Sequence, residues 1–110
     1  MNQTAEETQY CFYILRCSDQ EFYYGSSSDL AQSLFDHAFG AVEETCDRRP
    51  LELVYFEETS SLASALNLRV KFISGEISKE IRDKILELFS KDQCQELNAR
   101  AQLVFALSLL

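Results

Sequence analysis

Between Tyr10 and Arg16 the chain reads Tyr-Cys-Phe-Tyr-Ile-Leu-Arg, with no charge before the arginine. Aromatic and β-branched residues favour a pleated strand, and near-continuous apolar character, rather than alternation, means burial on both faces. Cys17-Ser18-Asp19-Gln20 has turn chemistry and Glu21 to Ser26 reads as a second strand, so the two form a hairpin. Other elements must then cover both faces of the first strand.

The remaining chain can supply them. Ser28 or Asp29 can cap a helix that carries Leu30, Leu34 and His37 or Ala38 on one face and stops at Gly40. Leu51 to Phe56 reads as a third strand, with Pro50 at its entrance, where a missing N–H does least harm. From Ser61 the apolar period becomes helical. Ser60 or Ser61 caps a stripe of Leu62, Ala65, Leu66, Arg69 and Phe72 or Ile73. Ser78 caps a second with Ile81, Ile85, Leu88 and Phe89, and Asp92 a third with Leu97, Ala101, Val104 and Phe105.

The order β-β-α-β-α-α-α predicts an α/β (α+β) fold, a small three-stranded antiparallel sheet flanked by helices with additional helices at the C-terminus. At 110 residues this is one domain. Residues 1–9 are polar and read as a flexible N-terminus, 10–90 as the domain, and 91–110 as a helix packed on it or at an interface. Val104–Leu110 is apolar almost all round, so something should cover it.

Net charge is −8, and through Leu68 the only basic residues are Arg16, Arg48 and Arg49 against twelve acids. Nucleic-acid binding draws much of its affinity from Lys and Arg displacing phosphate counterions, so this balance counts against DNA or RNA as the main partner. It suits a protein partner, a basic one above all, or a second copy through the C-terminal helix. No apolar run is long enough to span a bilayer and the N-terminus lacks secretory features, which points to the cytoplasm. Cys11, Cys17, Cys46 and Cys94 have no zinc-site spacing and read as free thiols.

Cys11-Phe12-Tyr13, followed ten residues later by Tyr23-Tyr24-Gly25, resembles the two short motifs that name the GIY-YIG nuclease superfamily. Tyr13–Asp19, Asp29-Leu30, His37, Arg48-Arg49-Pro50, Leu53-Val54-Tyr55 and Ser64-Ala65-Leu66 extend the likeness to its small stand-alone bacterial members, over roughly residues 10 to 88. The resemblance implies a tyrosine from each motif, Tyr13 and Tyr23, beside a scissile phosphate, with Gly25 leaving the backbone unhindered. It also implies an arginine on the first helix to contact the phosphate and a glutamate on the next long helix to hold a divalent metal. Phosphodiester hydrolysis needs an activated oxygen nucleophile and neutralisation of the charge that builds on the phosphoryl oxygens.

Two positions depart from that pattern. The family's arginine falls on Ser33 and its metal-holding glutamate on Arg69, with no acid between Glu58 and Glu76 to replace it. A guanidinium in place of a carboxylate removes an oxygen ligand and repels Mg²⁺ by about 8 kcal/mol at ~4 Å and an effective dielectric of 20. The expectation is a vestigial site of Tyr13, Tyr23, Gly25, Ser33, His37 and Arg69, with no metal or other cofactor, in an inactive endonuclease-like domain that serves as a protein-interaction scaffold. Arg48 and Arg49 are weaker candidates for phosphate contact. The alternative is a Mg²⁺-dependent, structure-specific DNA endonuclease whose metal is held by Glu57, Glu58 or Glu76.

Overall fold

Tyr10–Arg16 forms β1, the middle strand of a three-stranded antiparallel sheet ordered β2–β1–β3, with β2 at Phe22–Ser27 and β3 at Glu52–Thr59. A computed structural model gives these positions and describes residues 9–89 and 91–109, without the side chains of 104–108. The helices are α1 (Leu30–Phe39), α2 (Leu62–Ile73), α3 (Lys79–Leu88) and α4 (Lys91–Ser108), with a 3₁₀ turn at Cys46–Arg48. The expected fold class is the observed one. Both later strands start a residue further on than read from the sequence, and β3 runs on to Thr59.

The two faces of β1 explain the layering. Cys11, Tyr13 and Leu15 point into a cluster with Leu34 of α1, Leu53 of β3 and Cys94 of α4. Phe12 and Ile14 point the other way, against Ala65 and Phe72 of α2 and, around them, Tyr24, Tyr55 and Ile85. All five consecutive side chains, Cys11 to Leu15, are at most 7% exposed. At about 2 kcal/mol for each large apolar side chain buried, this strand is the largest local source of stability.

An irregularity in β3 sets its facing. Ile14 pairs with Tyr55 but Leu15 with Leu53, so Val54 is the extra residue of a bulge. Val54 and Tyr55 therefore both pack on the α2 side, while Leu53 reaches the α1 side. At the bulge the Asn98 amide of α4 takes the place of a strand. Leu53 N–H donates to Asn98 Oδ1 at 2.8 Å, and Asn98 Nδ2 donates to Leu53 O at 3.1 Å.

Caps fix the helix starts. Asp29 accepts from Gln32 N–H, Ser61 from Ser64 N–H and Ser78 from Ile81 N–H, and Gly40 ends α1 at φ 88°. Asp92 is not a cap, because α4 already begins at Lys91 and Asp92 lies in its first turn. The expected stripe on α2 is corrected too. Ala65, Leu68 and Phe72 face the sheet, whereas Leu62, Leu66 and Ile73 are exposed, since β2 and β1 meet only the narrow side of this helix. On α3, Ile85 and Leu86 pack inward while Ile81 and Leu88 are exposed.

All four cysteines are free thiols. No helix among the described residues is long and apolar enough to cross a membrane. Of the expected N-terminal segment, residues 1–8 lie outside the described residues. In the C-terminal apolar run, Leu109 is exposed, and the side chains of 104–108 and all of 110 lie outside them. Replacing Asn98 by Leu should leave the Leu53 N–H and C=O without partners and cost about 2–4 kcal/mol. Urea unfolding would show it as a lower midpoint at unchanged slope.

Candidate functional site

Tyr13 stands on the buried central strand, opposite Gly25 of β2. Its ring crosses directly over that glycine, and a Cβ there would lie 2.5 Å from the Tyr13 hydroxyl. With no side chain at Gly25, the phenol reaches across β2 to α1. There Tyr13 Oη lies 2.9 Å from His37 Nε2, and His37 Nδ1 lies 2.8 Å from Thr45 Oγ1. The three side chains are 3%, 2% and 0% exposed. The Tyr23 ring stacks edge-on against His37 at 5.0 Å between centroids and leans on Tyr13 at 6.3 Å.

Burial decides the charge state of this chain. Desolvation pushes the Tyr13 phenol well above its ordinary value, and the nearby Ser33 hydroxyl and Arg69 guanidinium only partly oppose it. Desolvation also raises Tyr23, helped by the charge of Glu44 and opposed by Arg69. The His37 imidazole moves the other way, below its ordinary 6.5, chiefly because burial disfavours its cation. Moving the proton from tyrosine to histidine would cost about 5 kcal/mol on ordinary acidities alone. Burial of both groups adds to that cost. The consistent assignment is a neutral pair, with Tyr13 O–H donating to Nε2 and Nδ1–H donating to Thr45.

Ser33 and Arg69 complete the surroundings. Ser33 Oγ is 2.6 Å from Ser27 Oγ, whose oxygen also accepts from Asp29 N–H at the start of α1. Arg69, half-buried on α2, donates from Nε to the Tyr24 carbonyl at 2.8 Å. Its charge is felt at both Tyr13 and Tyr23. The fold thus gathers Tyr13, Tyr23, Gly25, Ser33, His37 and Arg69 at the outer side of the hairpin.

Arg48 and Arg49 are committed elsewhere. Arg48 Nε pairs with Asp19 Oδ2 at 2.9 Å, rather than with any of the acids around it in sequence. Arg49 donates to the carbonyls of Cys46 and Ala38, and its guanidinium covers Gly40. A cavity of about 410 Å³ behind His37, lined by Leu15, Leu34, Leu53 and Ala101, takes in none of the tyrosines.

A divalent cation does not fit this donor set. The oxygens bonded within it are neutral hydroxyls, both His37 nitrogens are engaged, and its charged neighbours are the Arg69 guanidinium and the carboxylates of Asp36 and Glu44, whose charges reach His37. Among the described residues no three His, Cys, Asp or Glu side chains come together as a metal site. Glu57 accepts from Tyr55 on the α2 side of the sheet, Glu58 stands opposite Cys11, and the Glu76 N–H is tied to Ser74 in the turn after α2.

The model of the GIY-YIG catalytic domain matches residues 9–76. The chain belongs to the GIY-YIG family. Within that family it is similar to a UPF0213 protein of Listeria monocytogenes, 28% identical over 83 residues that cover 74% of this chain and 91% of the relative. A UPF0213 protein of Lactiplantibacillus plantarum is 36% identical over 72 residues, covering 63% and 71%. A solution NMR structure of a UPF0213 protein from Bacillus halodurans aligns at 25% identity and a TM-score of 0.45, over 73% of this chain and 84% of that one.

Thr45 and Ser27 join this cluster without a sequence signal. Each is an ordinary loop or strand-end residue until the fold brings it to His37 or Ser33. Substituting Gly25 by Ala should drive the Tyr13 ring off His37 and destabilise the protein by about 1–3 kcal/mol, measurable by thermal denaturation. The depressed His37 also predicts a pH dependence. Above 6.5 imidazole is neutral in both states and its burial carries no protonation penalty. Below 6.5 the unfolded state takes up the proton first, so stability falls with pH towards the lower folded value. Urea titrations from pH 7 to 5 should show a shallower fall for His37→Gln than for the native chain.

Proposed function

We propose that this GIY-YIG domain does not perform metal-dependent phosphodiester hydrolysis and works as a scaffold that binds another protein. The observation that carries this reading is Arg69. A cation on α2 acts on both tyrosines where hydrolysis would need carboxylate oxygens, and Ser33 offers a hydroxyl bonded to Ser27 in place of a phosphate-binding arginine. The neutral Tyr13–His37 pair supports it, since no activated oxygen is available in the resting site.

Two features favour protein binding. The net charge of −8 suits a basic partner and opposes a polyanion. Leu62, Leu66, Val70 and Ile73, spaced to share one side of α2, are all more than 40% exposed and form an apolar row. The expected result with plasmid, branched DNA and RNA in Mg²⁺ or Mn²⁺ is no cleavage. Nicking by a pure preparation that is lost in Tyr13→Phe or Tyr23→Phe would overturn the proposal. Retention of a partner from the native cell should weaken as salt rises, and more so in a Leu66→Glu/Val70→Glu variant.

A further inference from the structure

Between α1, α4 and the start of β3 the fold leaves the cavity of about 410 Å³ behind His37, and its floor is the buried side chains of Leu15, Leu34, His37 and Leu53. The leucines are apolar and both His37 nitrogens are engaged, so these side chains offer an occupant no free hydrogen-bonding group. The mouth differs. Exposed Arg49, Pro50 and Gln102 stand there, and none of the residues lining the cavity is Asp, Glu or Lys. One wall is α4, through Asn98 and Ala101, with Asn98 fixed by its two bonds to Leu53. Helix α4 lies beyond residues 9–76, so the cavity needs a helix that the shared family domain does not include.

The groups at the mouth retain free donors. Arg49 donates from Nε and from Nη1 to the carbonyls of Cys46 and Ala38, which leaves three of its five N–H donors on a guanidinium held in place. Among the described residues no carboxylate pairs with it, although the chain carries 18 acids, and the Gln102 amide has no hydrogen-bond partner. We infer that this cavity binds a small carboxylic acid with an apolar or aromatic body, its carboxylate at Arg49 and Gln102 and its body on the leucine floor. A cleft of this size, mostly apolar with a few polar groups to one side, has the usual make-up of a small-molecule site. An uncharged apolar molecule would leave the guanidinium without an anion, whereas a planar carboxylate matches its fork. A phosphate group alone would leave the apolar floor uncovered. None of the tyrosines lines the cavity, and the site stands whether or not the domain hydrolyses phosphodiesters.

The test is a titration of the full chain with 2-naphthoate and, separately, with its uncharged analogue 2-naphthamide, followed by ¹H–¹³C methyl and ¹H–¹⁵N NMR. Saturable shifts are expected at the Leu15, Leu34 and Leu53 methyls and at the Gln102 side-chain amide, with naphthoate bound about tenfold more tightly than naphthamide. Arg49→Met should remove that preference by weakening naphthoate alone. Ala101→Leu, which narrows the cavity, should weaken both ligands. No saturable shift, shifts confined to exposed Leu62, Leu66 and Val70 of α2, or equal binding of the two ligands by the native chain would overturn the inference. So would an unchanged preference in a folded Arg49→Met variant. Should either variant not fold, the location of the shifts and the preference for the anion in the native chain decide.

Discussion

β1 sends Phe12 and Ile14 to one side of the sheet and Cys11, Tyr13 and Leu15 to the other, and none of these side chains is more than 7% exposed. A sheet with such a centre cannot persist without cover on both faces, so α1 and α4 are drawn to one side and α2 and α3 to the other. The same strand carries Tyr13, which makes the site an extension of the core. Its phenol is held by packing, by an empty Cβ position at Gly25 and by one buried imidazole.

That origin explains the electrostatics. Ordinary acidities already favour the neutral form of a tyrosine and a histidine 2.9 Å apart, and the cover that stabilises β1 removes water from both. Desolvation moves their acidities apart, so the neutral hydrogen bond dominates and Thr45 completes it from the loop before the 3₁₀ turn. In energetic terms the chain of Tyr13, His37 and Thr45 behaves first as a satisfied buried network. Such networks fix one packing arrangement because any half-made version leaves a polar group unpaired.

The GIY-YIG architecture is therefore kept by forces independent of hydrolysis. Hairpin, capped α1 and buried histidine answer to burial and hydrogen bonding, while the groups that would neutralise a phosphoryl transition state are separable from them. Ser33 and Arg69 stand at the hairpin edge, bonded to Ser27 and to the Tyr24 carbonyl, outside the packing of Phe12 and Ile14.

Much of the fold and site was legible in the sequence. The apolar run at Tyr10–Arg16, the turn at Cys17–Gln20, the caps at Asp29, Ser61 and Ser78 and the stop at Gly40 act through neighbours a few residues away, so local pattern reveals them. The motif spacing likewise placed Tyr13, Tyr23 and Gly25 on one hairpin. Tertiary structure alone decided the bulge at Val54, the Asn98 bridge, the facing of α2 and the pairing of His37 with Thr45. Each depends on which surfaces meet across tens of residues, and one extra residue in a strand reverses the facing of every residue beyond it. The sequence by itself thus determined the strands and the residue types at the site. Packing determined that burial holds Tyr13 and His37 neutral, and that Arg69 stands without a carboxylate partner among the described residues.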